Sequence, residues 1–205
     1  MTSAKLLVLL GALAASAQAT DYFFRFVGGN AVTHGQRLRL NNSIPLISPG
    51  VTAAPYNDAD HFSRISVVDA SPSTLFVVPT NPHPPPVPGY YGLSGAEGVP
   101  DTFRLLQSYH PADEPAPFLY QAWELVTKCD GSALLRYAND PYDERRWVAV
   151  KETTQAGVVR WVPWWIKPTA ENFATLAAWD LEVADLELVV ATGPVASNAP
   201  GGVVE

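Results

Sequence analysis

The chain has 205 residues, with 13 basic and 20 acidic side chains, a net charge of −7, six tryptophans and a single cysteine. An acid excess without a basic run argues against a surface built to grip nucleic acid, and one cysteine excludes an intrachain disulfide. The length suits one domain whose core needs no covalent staple.

In chain order, Lys5 precedes the apolar run Leu6-Leu7-Val8-Leu9-Leu10, and small residues end at Ala17-Gln18-Ala19. This pattern fits a secretory signal peptide over 1–19, with cleavage starting the mature chain at Thr20; the apolar run is too short to span a bilayer. A buried first helix is the competing reading, but the strand-like Asp21-Tyr22-Phe23-Phe24-Arg25-Phe26 follows at once. Tyr22, Phe24 and Phe26 alternate with Phe23, Arg25 and Val27, and Gly28-Gly29-Asn30 then turns the chain. Leu38 and Leu40 alternate with Arg37 and Arg39 in a second half-buried strand. Asn41-Asn42-Ser43 is a glycosylation sequon, which makes Asn41 a candidate glycan site in a eukaryotic secretory route.

Asn57-Asp58-Ala59-Asp60-His61 groups two carboxylates and an imidazole, but it has neither calcium-loop spacing nor a second histidine and reads as a solvated turn. Strands are expected over 63–68, 75–78 and 102–107. Between the last two, 79–100 reads as one long surface loop, because Asn81-Pro82-His83-Pro84-Pro85-Pro86-Val87-Pro88-Gly89 favours polyproline geometry. That loop could be a stiff spacer or a proline ligand for a partner.

The second half is expected to hold strands over 118–127, 133–137, 146–151, 158–166 and 179–190. Lys128-Cys129-Asp130-Gly131-Ser132 reads as a hairpin turn, with Asp130-Gly131 as its signal. Cys129 reads foremost as a small buried hydrophobe; an intermolecular disulfide or a nucleophile is the sharper alternative, although no histidine adjoins it. In Val158-Val159-Arg160-Trp161-Val162-Pro163-Trp164-Trp165-Ile166, Trp161 and Trp165 share one strand face and Trp164 the other. Pro163 places this segment at a sheet edge or strand end. The three indoles Trp161, Trp164 and Trp165 are therefore either core or a candidate ligand-binding surface for sugar rings. One short helix is expected, with Thr169 as N-cap, Glu171 in the first turn and Phe173, Leu176 and Ala177 on one face. The spacing of Trp179, Leu181 and Val183 against Leu186, Leu188 and Val190 predicts a bulge. Residues 193–205 read as a flexible tail.

Motifs for catalysis are missing: there is no Gly-x-Ser-x-Gly elbow, no His-Glu-x-x-His helix and no phosphate-cradling glycine loop. Glu124 and Asp180 could be proposed as paired acids, but sequence alone does not bring them together. No catalytic residue, metal ligand or cofactor site is assigned.

Phe24-Arg25-Phe26, Ala31-Val32-Thr33-His34-Gly35-Gln36-Arg37-Leu38-Arg39-Leu40, Ile44-Pro45-Leu46 and Ala53-Ala54-Pro55-Tyr56 together resemble the opening of small secreted fungal cell-wall proteins of the phialide-associated (PhiA-like) type. The likeness covers about a fifth of the chain and rests on strand-and-turn patterns. Cysteines that typical members carry near the Tyr56 equivalent are replaced here by Asn57 and Asp58. The resemblance implies a non-catalytic β-rich protein of the cell surface and transfers no site residues.

The expectation is thus an all-β protein, a single antiparallel β-sandwich domain over 20–192 with one short helix near its C-terminus. It would be secreted and extracellular or cell-wall-associated, acting as an interaction or structural module. Its partners would be a cell-wall polysaccharide or a surface protein, with no nucleic acid and no membrane once the signal is cleaved. The alternatives are a carbohydrate-binding module using surface tryptophans and a secreted hydrolase with an unrecognised site.

Overall fold

The computed structural model describes residues 20–41, 48–52, 60–62, 64–68, 73–77, 89–95, 99–115, 117–138, 144–154 and 157–191. Residues 1–19, expected to be a signal peptide, the proline run 81–88, Asp58, the sequon's Ser43 and residues 193–205 lie outside them.

The fold is all-β and antiparallel, with one short helix near the C-terminus. The first strand, β1 (Asp21–Gly28), buries Phe24 and Phe26 completely and leaves the intervening positions partly exposed, as period-two alternation requires. It pairs along most of its length with the last strand, β14 (Leu181–Val190), in an unbroken register from Tyr22↔Val190 to Gly28↔Ala184. The first and last strands of the domain are therefore neighbours, and the sheet closes on itself. Going round, β1 pairs with β5 (Arg64–Val68) and β5 with β6 (Thr74–Val77). A Thr74↔Gln121 bridge then joins β6 to the arm carrying β9 (Phe118–Leu119) and β10 (Trp123–Thr127). From there β10 pairs with β11 (Ala133–Tyr137), and β11 with β14. The two packed layers are opposite walls of this closed ring.

Three excursions leave the ring. The first carries β2 (Arg39–Asn41) and β3 (Val51–Thr52), joined where Arg39 and Gly50 exchange two backbone bonds of 2.9 Å. The second is the hairpin of β7 (Tyr90–Gly95) and β8 (Thr102–Ser108), and the third that of β12 (Arg146–Thr153) and β13 (Val159–Ile166). In each, the first strand also pairs with the strand that returns to the ring. Leu40 faces His61 on β4 (Asp60–Phe62), Leu93 faces Leu119, and Ala149 faces Glu182. This pairing pattern, used three times, is that of a β-trefoil: a barrel capped by three hairpins. The hairpins meet on β13, which pairs with β3 at Arg160↔Thr52 and Trp161↔Val51 and with β8 from Trp164↔Arg104 to Ile166↔Thr102.

One continuous core fills the barrel and the underside of the cap, with Phe24, Ile65, Leu75, Leu93, Leu105 and Leu186 all at 0% exposure. A second cluster lies on the outer face of the third hairpin. There Val148, Val150, Val162, Trp164 and Ile166 are covered by Leu176, Trp179 and Leu181. Strands β12 and β13 are thus buried on both faces, which explains why they read as near-continuous apolar runs. At about 25 cal/mol per Å² and 150–250 Å² per indole, each fully buried tryptophan contributes about 4–6 kcal/mol before the entropy of ordering it.

The structure corrects four expectations. The stretch 79–100 is not one loop: β7 crosses the middle of the sheet, because Gly92 is a point of close approach rather than a breaker, and a Cβ there would sit 2.5 Å from the Phe118 ring. Strand β13 is not an edge; Pro163 falls at the seam between the residues paired to β3 and those paired to β8. β14 has no bulge against β1: Ala184, Leu186 and Leu188 face the barrel, while Leu181 packs into the outer cluster and Val183 is 62% exposed. The helix, α1 (Phe173–Ala177), is capped one turn ahead, where Thr169 N–H donates to Asn172 Oδ1 at 2.8 Å and Asn172 N–H to Thr169 Oγ1 at 3.3 Å. Leu176 is buried, but Phe173 projects into solvent at 67% exposure.

Candidate functional site

Two concentrations of charge differ in kind. The first is built on Glu187 of β14, a side chain buried within the sheet. Its Oε2 accepts from Arg25 Nε at 2.8 Å, and its Oε1 accepts from Lys128 Nζ at 2.7 Å and Ser132 Oγ at 2.6 Å. Burial opposes ionisation of this carboxyl, but the bonds donated by Lys128, Ser132 and Arg25 outweigh it and hold its pKa below the ordinary glutamate value. Ser132 N–H donates to Asp130 Oδ1 at 3.0 Å, and the Ser132 hydroxyl, whose single proton is shared between the two carboxylates, lies 2.6 Å from the same oxygen; both contacts lower the pKa of Asp130. These bonds fasten β14 to β1 and to the β10–β11 turn.

The second concentration borders open space. A groove of about 490 Å³ runs along the end of the third hairpin, lined by Lys151, Glu152, Trp164, Trp179 and Asp180 among others. That volume is within the range of ligand pockets, roughly 300–1,000 Å³. Strand β12 supplies Lys151 and Glu152, β13 supplies Trp164, and the turn between α1 and β14 supplies Trp179 and Asp180. Lys151 N–H donates to the Asp180 carbonyl at 2.8 Å, which fixes that turn against the strand end. The two indoles meet edge to face, with centroids 5.0 Å apart and planes at 61°.

The groove's acids are internally balanced. Lys151 Nζ donates to Asp180 Oδ2 at 2.6 Å, and Arg104 Nη2 on β8 donates to Glu152 Oε2 at 2.6 Å. Trp164 Nε1 donates to Glu152 Oε1 at 3.3 Å. Both carboxylates stay in reach of solvent, with side-chain exposures of 28% for Glu152 and 56% for Asp180. Each therefore keeps acceptor capacity beyond its ion pair.

A second groove, of about 470 Å³, holds Arg136, Arg145 and Arg146 opposite Glu144 and Asp185. Its indole Trp147 turns its N–H inward to the Leu135 carbonyl at 2.7 Å, and Arg145 pairs with Asp101.

The sequence candidates are distributed as follows. Trp161, Trp164 and Trp165 are buried, at 7%, 8% and 5% exposure. Trp161 and Trp165 belong to the main core and Trp164 to the outer cluster, so the three do not form one exposed stacking surface. Only Trp164 borders the groove. Asn41 ends β2 opposite Asp60, and His61 lies opposite Leu40. Glu124 faces Arg136 across β10 and β11, whereas Asp180 pairs with Lys151. Cys129 is exposed at the hairpin turn, not buried, because the turn closes tightly from Lys128 N–H to the Ser132 carbonyl at 2.7 Å and turns this side chain outward. Among the described residues, no group of three His, Cys, Asp or Glu side chains converges as a metal site would require.

Trp179, Lys151 and Glu152 are the groove residues that sequence reasoning passed over. The available signal was local: a Lys-Glu pair at one strand end and a Trp-Asp pair at the start of another. No protein-family model matches the chain, and no curated protein or solved structure does either.

Proposed function

We propose that this protein is a secreted, non-catalytic recognition module of the cell surface or cell wall, and that it engages its partner through the groove beside Trp179. The observation that carries this reading is the groove's construction. Its wall is two indoles, Trp164 on the doubly buried third hairpin and Trp179 on the turn packed against it, and its carboxylates are each held by a cation of the protein itself. Such a site is set up to hold a ligand in place. The leader-like residues 1–19 and the resemblance to PhiA-like wall proteins support export and a wall-associated role.

The test is co-sedimentation of the purified chain 20–205 with washed, insoluble fungal cell walls, together with fractionation of an expressing culture. Retention on the walls and recovery outside the cell membrane are expected. Quantitative recovery in the unbound supernatant, or an intracellular product with residues 1–19 intact, would overturn the reading.

A further inference from the structure

Resting on that reading of the groove as a recognition site, we infer that its ligand is a neutral β-linked hexopyranose unit, stacked on Trp179 and hydrogen-bonded by Asp180, Glu152 and Lys151. Three ligand classes compete for a site made of indoles and carboxylates, and the charge arrangement separates them. A cationic ligand, such as a quaternary ammonium group, would gain from the indoles and both acids. Lys151 and Arg104 already balance those acids at contacts of 2.6 Å each, so a cation would meet two neutralised ion pairs rather than two bare carboxylates. An anionic ligand would meet two carboxylates lining the groove. A neutral polyol needs no net charge in the groove and leaves both ion pairs in place. Its hydroxyls donate to the free lone pairs of the two carboxylates and accept from the remaining N–H groups of Lys151, and such charge-assisted bonds are the strong kind.

Shape points the same way. β-Linked hexopyranoses place their ring C–H groups on flat faces, which suit the electron-rich face of an indole. Trp179 is half-buried and held edge to face by Trp164, so its orientation is set before a ligand arrives and little side-chain freedom is lost on binding. Trp164 is too buried to stack, at 8% exposure, and serves as the positioning residue. Glu152 accepts the Trp164 N–H and so locks the same arrangement from the polar side.

The experiment is calorimetric titration of the purified chain with β-1,3-glucan and β-1,4-linked N-acetylglucosamine tetrasaccharides, with choline and inorganic phosphate as the charged competitors. Saturable binding of at least one tetrasaccharide is expected, with no heat from choline or phosphate. W179A should weaken it at least tenfold and W179Y should restore part of the loss. D180N alters an exposed side chain and leaves packing untouched, so its expected weakening of about threefold or more reads the site independently of folding. Binding of choline or phosphate in place of the sugars, or sugar affinity unchanged in both W179A and D180N, would overturn the inference. Wall retention that survives both substitutions would leave the recognition reading intact and remove only the groove from it.

Discussion

Arg25 and Glu187 stand 162 residues apart in sequence, yet the guanidinium of one closes on the buried carboxylate of the other. They face each other across β1 and β14, the register pair Arg25↔Glu187 that closes the barrel. Lys128 and Ser132 complete the site from the neighbouring turn. Removing one member of a buried ion pair typically costs about 3–5 kcal/mol. Here the cations are about one-third exposed and can rehydrate, so E187Q should lose about 3 kcal/mol, at the lower end. Urea unfolding of the two proteins reads this directly; a loss under about 0.5 kcal/mol would show that the closure stands without the carboxylate.

The same residue sets an acid limit. Its folded pKa lies below its unfolded value, so over that interval the unfolded chain binds more protons and stability rises with pH. The contribution is fully present above the ordinary glutamate range and disappears as pH falls through the depressed folded value. Thermal unfolding measured as the pH is lowered through that range should show a steeper loss for the native sequence than for E187Q. Parallel curves would assign the acid sensitivity to other carboxylates.

Trp165 and Trp179 should separate structure from recognition. W165A removes an indole from the main core, where large-to-small changes of this size cost about 3–5 kcal/mol. Trp179 lies at the rim of the outer cluster, and W179A should cost clearly less while preserving the far-ultraviolet spectrum. Equal losses would place Trp179 in the core and deprive the groove of its platform.

Gly50 makes the junction of the first excursion with the third hairpin, where an added Cβ would lie 2.8 Å from the Trp161 carbonyl oxygen. Backbone cannot swing aside as a side chain can, so G50A should cost about 1–3 kcal/mol by overpacking. Unchanged stability would mean that the β3–β13 contact yields freely.

Cys129 should react with a thiol reagent in the folded protein, because it is exposed at its turn. C129S should leave stability within about 0.5 kcal/mol of the native chain, as surface substitutions usually do. A thiol that titrates only in denaturant would contradict the exposed placement.

Much of the fold was legible because its signals were local. Alternation in Tyr22–Val27 gave β1, Asp130-Gly131 gave the β10–β11 turn, and the opposite facing of Trp164 against Trp161 and Trp165 is borne out by the two clusters they join. What escaped depends on distant partners. β7 was hidden because Tyr90–Gly95 carries two glycines, and only Phe118, brought alongside by β9, explains Gly92. The threefold pairing left no legible sequence repeat, since the equivalent positions Leu40, Leu93 and Ala149 share burial, and what two of them share in identity is leucine, a residue common throughout the core. Cys129 was misplaced because residue type, not turn geometry, decided the expectation. The groove was invisible for a similar reason: Trp179 and Asp180 meet Lys151, Glu152 and Trp164 only after β12, β13 and β14 have paired.

The most direct test of the central claim uses the six tryptophans as reporters. In a ¹H–¹⁵N spectrum, titration with the β-linked tetrasaccharide that binds should move the indole N–H signals of Trp179 and Trp164, while those of Trp123, Trp147, Trp161 and Trp165 stay in place. Shifts confined to the four core indoles, or no indole shift at saturating sugar, would contradict it.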